Sequence, residues 1–326
     1  MKNNGTGDEK RILKFVVNYA QYGLIGAVII VYSILSPVFI SLSNIRELLA
    51  ISSPLLVCSV GMTFVLLIAE IDLSVGSIAG VSGALWVVCV VNYGMSVAAS
   101  AVIGILGGMA MGAANAFFIV KLKINSFLVT LGAQVFGRGL IFFIASGEQI
   151  LTTDEMKRLA YQDVFGISIL VLLSIGITIV MALVYKYTSF GRRLQAVGCD
   201  RAAAAKIGVD VNRMRFSVFV LAGFFAGIAG LMQVGNIGML NPVYVGNNME
   251  FLAITAAVLG GTSLFGGTGT IVPGTLVGVI FTMSIENGLG ILGANPYIYP
   301  VVRGSVIYLA MFTDSLKRSI GIGMDK

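Results

Sequence analysis

The sequence predicts an all-α polytopic membrane protein of about ten transmembrane helices, and three observations carry that expectation. Of 326 residues, 57% are hydrophobic and 11% are charged, whereas a soluble domain carries about 25% charged residues. Too little charge is present to cover a water-facing surface. Apolar runs close to the roughly 20 residues needed to cross a bilayer recur along the chain. The basic residues collect in the gaps between those runs, which is how membrane proteins set their topology. The formal net charge of +6 therefore does not point to nucleic acid. The chain reads as one transmembrane domain over residues 1–326.

Taken in order, residues 1–15 form a polar tail carrying Lys2, Lys10, Arg11 and Lys14. The apolar run that follows is longer than a signal-peptide core and has no small-residue cleavage site before Pro37, so it reads as a retained anchor. Ten spans are expected near Val17–Ile40, Leu48–Ala69, Val75–Tyr93, Met95–Val120, Phe127–Ile144, Ile167–Tyr185, Phe216–Leu240, Phe251–Leu264, Ile271–Ile285 and Tyr297–Phe312. Pro54 and Pro273 each remove a helical donor and are candidate kinks. Gly104, Gly108 and Gly112 repeat every four residues, as do Gly223 and Gly227, and Gly274 and Gly278. Such stripes let helices approach closely in lipid, where apolar side chains gain little by burial.

Between the sixth and seventh spans lies the longest polar stretch, residues 186–215. It holds Lys186, Arg192, Arg193, Arg201, Lys206, Arg213 and Arg215 against Asp200 and Asp210. Asp200 can cap a short helix through its carboxylate, Ala202–Ala205 are strong helix formers, and Gly208 offers a stop. The stretch is either a solvated connector or a docking helix for a soluble partner. If the N-terminus is cytoplasmic, the inside segments are the tail, Glu70–Ser74, Lys121–Ser126, residues 186–215, Gly266–Thr270 and the C-terminus. Sixteen of the 21 basic residues then fall inside. The outside loop Ala145–Gly166 carries Glu148, Asp154, Glu155 and Asp163 against Lys157 and Arg158. Both termini are expected inside, and the 186–215 stretch with them.

Catalysis finds little support. There is no His, which removes the commonest acid–base and metal-binding side chain. Cys58, Cys89 and Cys199 are too scattered for a disulfide or metal framework. No G-x-x-x-x-G-K-[ST] loop is present to cradle a nucleotide phosphate; Gly266–Thr270 reads as a tight turn. No catalytic residue, metal or cofactor is expected in this chain. The polar groups that remain sit at span ends and inside spans. Asp72 and Ser74 precede the third span, where a carboxylate also suits a positive helix N-terminus. Gln134 and Arg138 fall within the fifth. Burying an arginine there costs about 2.5–3.5 kcal/mol on insertion scales, so Arg138 should face protein or a wet cavity. Glu250 opens the eighth span from the outside. Spans two to five and seven to ten, divided by the basic stretch, admit an inverted-repeat arrangement.

Several segments together resemble a family, the membrane permeases of bacterial ABC importers for monosaccharides in the ribose-type branch. They are Ile71–Ser77, Thr130–Gly132 with Arg138–Leu140, Gly191–Arg192 through Ala196–Gly198, and Ala203–Ala204 with Gly208–Val209. Further along come the Ala222–Gly223 and Ala229–Gly230 pairs, Gly260–Leu264, Gly266–Gly269 and Asn287–Leu289. The resemblance implies a multi-pass permease subunit of the bacterial plasma (inner) membrane with no cofactor of its own. It also implies pairing with a second permease copy or paralogue, cytoplasmic ABC ATPase subunits, and an extracellular or periplasmic sugar-binding protein. The mid-chain stretch becomes a coupling loop, with Gly198, Asp200, Arg201, Ala203, Ala204 and Gly208 as candidate contacts to the ATPase. Where the family usually has Gly-Asn, this chain has Cys199-Asp200; either side chain can cap a helix.

Neutral sugars are bound by dense hydrogen bonding, so Asp72, Ser74, Gln134, Arg138 and Glu250 are the candidates to line or brace a substrate path. The competing class is a secondary transporter driven by an ion gradient, with Asp72, Glu250 or Glu286 as its coupling carboxylate. A structural membrane partner without transport is a third. The charge count yields a topology test. A cysteine introduced at Thr152 should react with an impermeant thiol reagent on intact cells, and native Cys199 only after permeabilisation. Labelling of Cys199 in intact cells would overturn the orientation.

Overall fold

A backbone in lipid must satisfy its own hydrogen bonds, and the apolar runs do so as helices. The computed structural model describes Gly23, residues 25–295 and residues 297–319. The expected tail over residues 1–15 and the start of the first span lie outside the described residues. Helix α1 covers Ile25–Leu35. It is followed by a 3-10 turn at Pro37–Ile40, then α2 (Leu42–Leu67), α3 (Val75–Val91), α4 (Val97–Val120) and α5 (Ser126–Ile144). Next come β1 (Ile150–Leu151), the short α6 (Asp154–Tyr161), the hairpin β2 (Asp163–Val164) and β3 (Ile167–Ser168), and α7 (Ile169–Tyr187). The polar stretch folds as α8 (Ser189–Cys199) and α9 (Arg201–Lys206). It leads to α10 (Val211–Ile237), β4 (Met239–Leu240), α11 (Met249–Leu259), α12 (Leu276–Ile291) and α13 (Ile298–Ser319).

The chain is an all-α multi-pass membrane protein. Among the described residues, α2, α4, α5, α7, α10 and Ile271–Ile291 are long and apolar enough to cross a membrane. Four further apolar helices are shorter: α1, α3, α11 and the Ile298–Leu309 part of α13. Helices α2 and α10 form the centre. The most apolar window of α2 is 83% buried, whereas that of α5 is 17% buried and turns large apolar side chains such as Val135, Phe136 and Phe143 outward.

The glycine stripes are where the central helices touch. Gly104 and Gly108 pack on Ser82 of α3, and Gly108 and Gly112 on the backbone of α10 at Gly223, Gly227 and Phe219. Gly230 lies against the Ala79 backbone, and Gly278 against that of Ala256, with no room for a Cβ. This is the close approach that small residues permit. Helix entries are capped by side chains at Ser41, Ser96, Asn125, Ser168 and Asp210.

Four sequence expectations change. Helix α2 starts at Leu42, because Ser41 caps it and the charged Arg46 and Glu47 lie on its exposed face. Pro54 sits inside α2 without ending it, whereas Pro273 lies in the irregular turn Ile271–Thr275 that delays α12 to Leu276. The Glu70–Ser74 segment, read as an inside loop, is instead buried at Glu70, Asp72 and Ser74, since α3 begins within the bundle. The Ala145–Gly166 loop, expected outside, is also more structured than the sequence suggests. Strand β1 pairs with β4, and Thr152 is buried with its hydroxyl donating to the Gly238 carbonyl at 2.8 Å. The exposed Glu148 is therefore the better labelling position.

The packing gives a direct contrast. Gly223→Leu should lower membrane abundance and thermal stability, because overpacking costs about 1–3 kcal/mol and here the obstacle is backbone. Gly176→Leu on α7, where a Cβ meets nothing within 4 Å, should be tolerated. Equal abundance and equal melting temperature for both detergent-extracted variants would contradict the packing account.

Candidate functional site

Two short helices begin inside the protein and face each other with their N-terminal turns. The non-helical stretch 68–74 leads into α3, and the stretch 241–248 turns inward from the end of α10 to start α11. At Gly76, one turn into α3, a Cβ would collide with Oε2 of Glu250 and with the Gly246 carbonyl. Glycine is required at Gly246 as well, where φ is +63° and the Gly76 backbone lies against it. Positive helix ends thus converge where Asp72 and Glu250 place their carboxylates, which is electrostatically favourable.

Asp72 is fully buried. Its Oδ1 accepts from the Ser74 backbone N–H at 2.8 Å and from the Ser74 hydroxyl at 2.6 Å. Asn115 of α4 donates to Ser74 Oγ at 2.8 Å, and Ser77 donates to the Ser74 carbonyl at 2.8 Å. On the other side Gln134 of α5 donates to Glu250 Oε1 at 2.5 Å. One turn further along α5, Arg138 donates to the Val245 carbonyl at 2.7 Å and to the Gly246 carbonyl. Gln233 of α10 accepts from the Gly246 N–H at 2.8 Å. Among the described residues, Oδ2 of Asp72 and Oε2 of Glu250 are buried and have no hydrogen-bond partner.

The structure therefore brings Asp72, Ser74, Gln134, Arg138 and Glu250 into one cluster. Sequence reading quoted Gly76 and Ser77 within Ile71–Ser77 without singling them out as path candidates, and it missed Asn115, Gln233 and Gly246. A lone amide among the small residues of α4 was the available signal for Asn115. Glu286, the third carboxylate singled out, lies elsewhere and is engaged by the Arg303 guanidinium, with Nε at 3.0 Å.

The mid-chain residues form a second group. Asp200 caps α9, its Oδ1 accepting from the N–H groups of Ala202 (2.8 Å) and Ala203 (3.1 Å). Gly208 ends the element at φ +85°. Ala204 is buried, whereas Ala203 is exposed, as are Ala202, Ala205 and Ile207. Gly198 lies against the Leu67 carbonyl and the Gly267 backbone, where a Cβ could not fit. Arg201 donates to the Ile68 carbonyl at 3.1 Å and to Glu70 at 2.7 Å. One helix was expected in this stretch; α8 precedes it because Ser189–Cys199 carries an apolar face, with Leu194 and Val197 buried.

Comparison with known proteins places these features in context. A family model described as "Branched-chain amino acid transport system / permease component" matches residues 44–311. The ribose import permease protein RbsC of Escherichia coli (strain K12) is 33% identical over 89% of this chain and 91% of its own length. The L-arabinose transport system permease protein AraH of the same strain is 33% identical over 98% of this chain and 97% of its own. The autoinducer 2 import system permease protein LsrC of Photorhabdus luminescens is 30% identical, covering 94% of this chain and 93% of its own length.

Arg138 bonds the Val245 carbonyl and shares the Gly246 carbonyl with the Met249 N–H, so bracing accounts for its position. Arg138→Leu should reduce membrane abundance, since it strands the buried Val245 carbonyl at about 1–3 kcal/mol. Arg138→Lys, which cannot fork onto two carbonyls, should fall between. Normal abundance of Arg138→Leu with selective loss of transport would instead make Arg138 a substrate contact.

Proposed function

The chain belongs to the family of branched-chain amino acid transport system permease components, and on that premise we propose that it forms the membrane path of an ATP-driven monosaccharide importer. The observation that carries this reading is its end-to-end similarity to import permeases named for ribose and L-arabinose. The sugar is a ribose-like pentose or a hexose. It is delivered by an extracellular or periplasmic binding protein, and ATP is hydrolysed on separate cytoplasmic ATPase subunits. The chain is itself no enzyme and takes no cofactor. It sits in a bacterial inner membrane beside a second permease copy or paralogue.

All ten apolar helices are spans in this reading, with both termini cytoplasmic. At 1.5 Å per residue, α3 is about 25 Å long and α11 about 16 Å, short of the roughly 30 Å hydrocarbon core. Each is completed by its non-helical lead-in, and the two enter from opposite faces, as an inverted repeat would place them. Irregular backbone at such depth is tolerated where protein or a water-filled path surrounds it. Asp72, Ser74, Gln134 and Glu250 supply the polar edge of that path, and Arg138 braces it. The unpartnered oxygens of Asp72 and Glu250 are acceptors suited to sugar hydroxyls. An ion-gradient mechanism is not favoured: Glu286 is held by Arg303, and the related proteins are import permeases.

The coupling element is α9. Gly198 seats its base, Asp200 caps it, Arg201 and Ala204 face inward, and the exposed Ala203 and the turn at Gly208 face the ATPase. Reconstituted with its ATPase and binding protein, the chain should take up ribose or arabinose only with ATP. Uptake driven by a proton or sodium gradient without the ATPase would overturn the reading. Ala204→Pro removes the N–H that donates to the Asp200 carbonyl and costs about 3 kcal/mol locally. Membrane abundance should stay normal while uptake and sugar-stimulated ATP hydrolysis are both lost. Ala204→Ser, costing a few tenths of a kcal/mol in helix propensity, should be far milder.

A further inference from the structure

From sequence Glu70 is one of the carboxylates ahead of the third span and not a path candidate, yet it ties together three elements. It lies in the 68–74 connector, two residues before Asp72, and is almost fully buried. Its Oε1 accepts from Arg201 at 2.7 Å and from Arg215 at 2.8 Å. Arg201 is the first residue of α9, and Arg215 lies in the second turn of α10. The two arginines differ in setting: Arg215 is 15% exposed and fixed in a long central helix, whereas Arg201 is 41% exposed on a short peripheral one. They border an open cleft of about 560 Å³, also lined by Lys123, Asn125 and Asn212, so Arg201 can move without displacing packed core.

The same small area holds backbone contacts with no slack. The Gly267 N–H donates to the Leu67 carbonyl at 2.9 Å, and Gly198 is pressed between these two residues. A shift of the α8–α9 junction therefore meets the connector before α3 and the connector after α11 together. The first of these carries Asp72; the second leaves the C-terminal end of α11, whose first turn holds Glu250.

We propose that Glu70 is a positioning residue for transport, transmitting displacement of α9 through Arg201 to the Asp72–Ser74 edge of the path. Arg215 supplies the fixed end of this clamp and Arg201 the moving end. The inference rests on α9 being the coupling element proposed above. A merely structural ion pair would affect folding and leave the ratio of sugar moved to ATP hydrolysed unchanged; a transmitting one sets that ratio.

The test uses the full chain reconstituted with its ATPase and binding protein, measuring labelled sugar uptake and ATP hydrolysis on the same vesicles. Glu70→Gln and Arg201→Met should each lower sugar moved per ATP by about fivefold or more, the range of ordinary inter-site coupling. Permease abundance and ATPase assembly should remain normal. The double variant Glu70→Gln/Arg201→Met should lose less than the product of the two single losses, since the Glu70–Arg201 link is broken in both. An unchanged ratio in Arg201→Met overturns the proposal, even if Glu70→Gln fails to accumulate, because half-exposed Arg201 can be replaced without loss of core. Losses that multiply in the double variant overturn it too. Failure of the unmutated chain to import with ATP would instead refute the importer reading, and it is scored on that chain alone.

Discussion

An irregular backbone can enter an apolar bundle only if its carbonyls and N–H groups find partners, and the interior of this protein is arranged around that constraint. The stretch 241–248 must fold inward to start α11 beside α3. Arg138 accepts that burden by occupying the carbonyls of Val245 and Gly246, and Gln233 takes the Gly246 N–H. An unsatisfied group of this kind costs about 1–3 kcal/mol in mutational series, so stranding the Val245 carbonyl and the Gly246 N–H would remove a large part of a domain's stability of about 5–15 kcal/mol. A guanidinium inside a span is costly in isolation, but one that bonds the carbonyls of an inward-folding turn is part of the solution.

The same constraint explains why the cluster is built on glycines. With a Cβ at Gly76 or Gly246 the two N-terminal turns could not meet, and Glu250 would lose the space it occupies. Close approach then sets the electrostatics. Two helix N-termini bring partial positive charge to one place, and Asp72 and Glu250 answer it with carboxylates. Polar groups from α4 and α5, Asn115 and Gln134, complete the ring.

Much of the architecture was legible because span length and charge distribution are one-dimensional signals. The ten apolar runs all overlap described helices, the glycine stripes mark the α4–α10 and α11–α12 contacts, and the Asp200 cap and Gly208 stop lie where residue chemistry put them. The five path candidates also come together. What escaped was depth. Glu70–Ser74 is polar and follows a long apolar run, so it reads as a loop in water; that it is buried depends on Gly198, Gly267, Arg201 and Arg215, all distant in sequence. Thr152 was misread for the same reason, since its partner Gly238 lies 86 residues away. Asn115 gave a signal too small to separate from an ordinary helix-packing amide.

Glu70 and Asp72 lie on one connector, so the proposed path and coupling groups are not separate sites. A connector of a few residues has little freedom when both ends are fixed. Here Glu70 is fixed by two guanidinium groups at one end, and Ser74 by Asp72 and Asn115 at the other. Thr130 adds a contact to the Ile71 carbonyl at 3.4 Å between them. In the proposed mechanism these bonds give a displacement of α9 a short route to Asp72. Allosteric coupling needs an element with discrete arrangements that both sites bias, and spatial proximity is insufficient. On the proposed role, a buried carboxylate shared by one anchored and one half-exposed arginine would supply such an element, because Arg215 keeps the Glu70 charge paired when Arg201 is released.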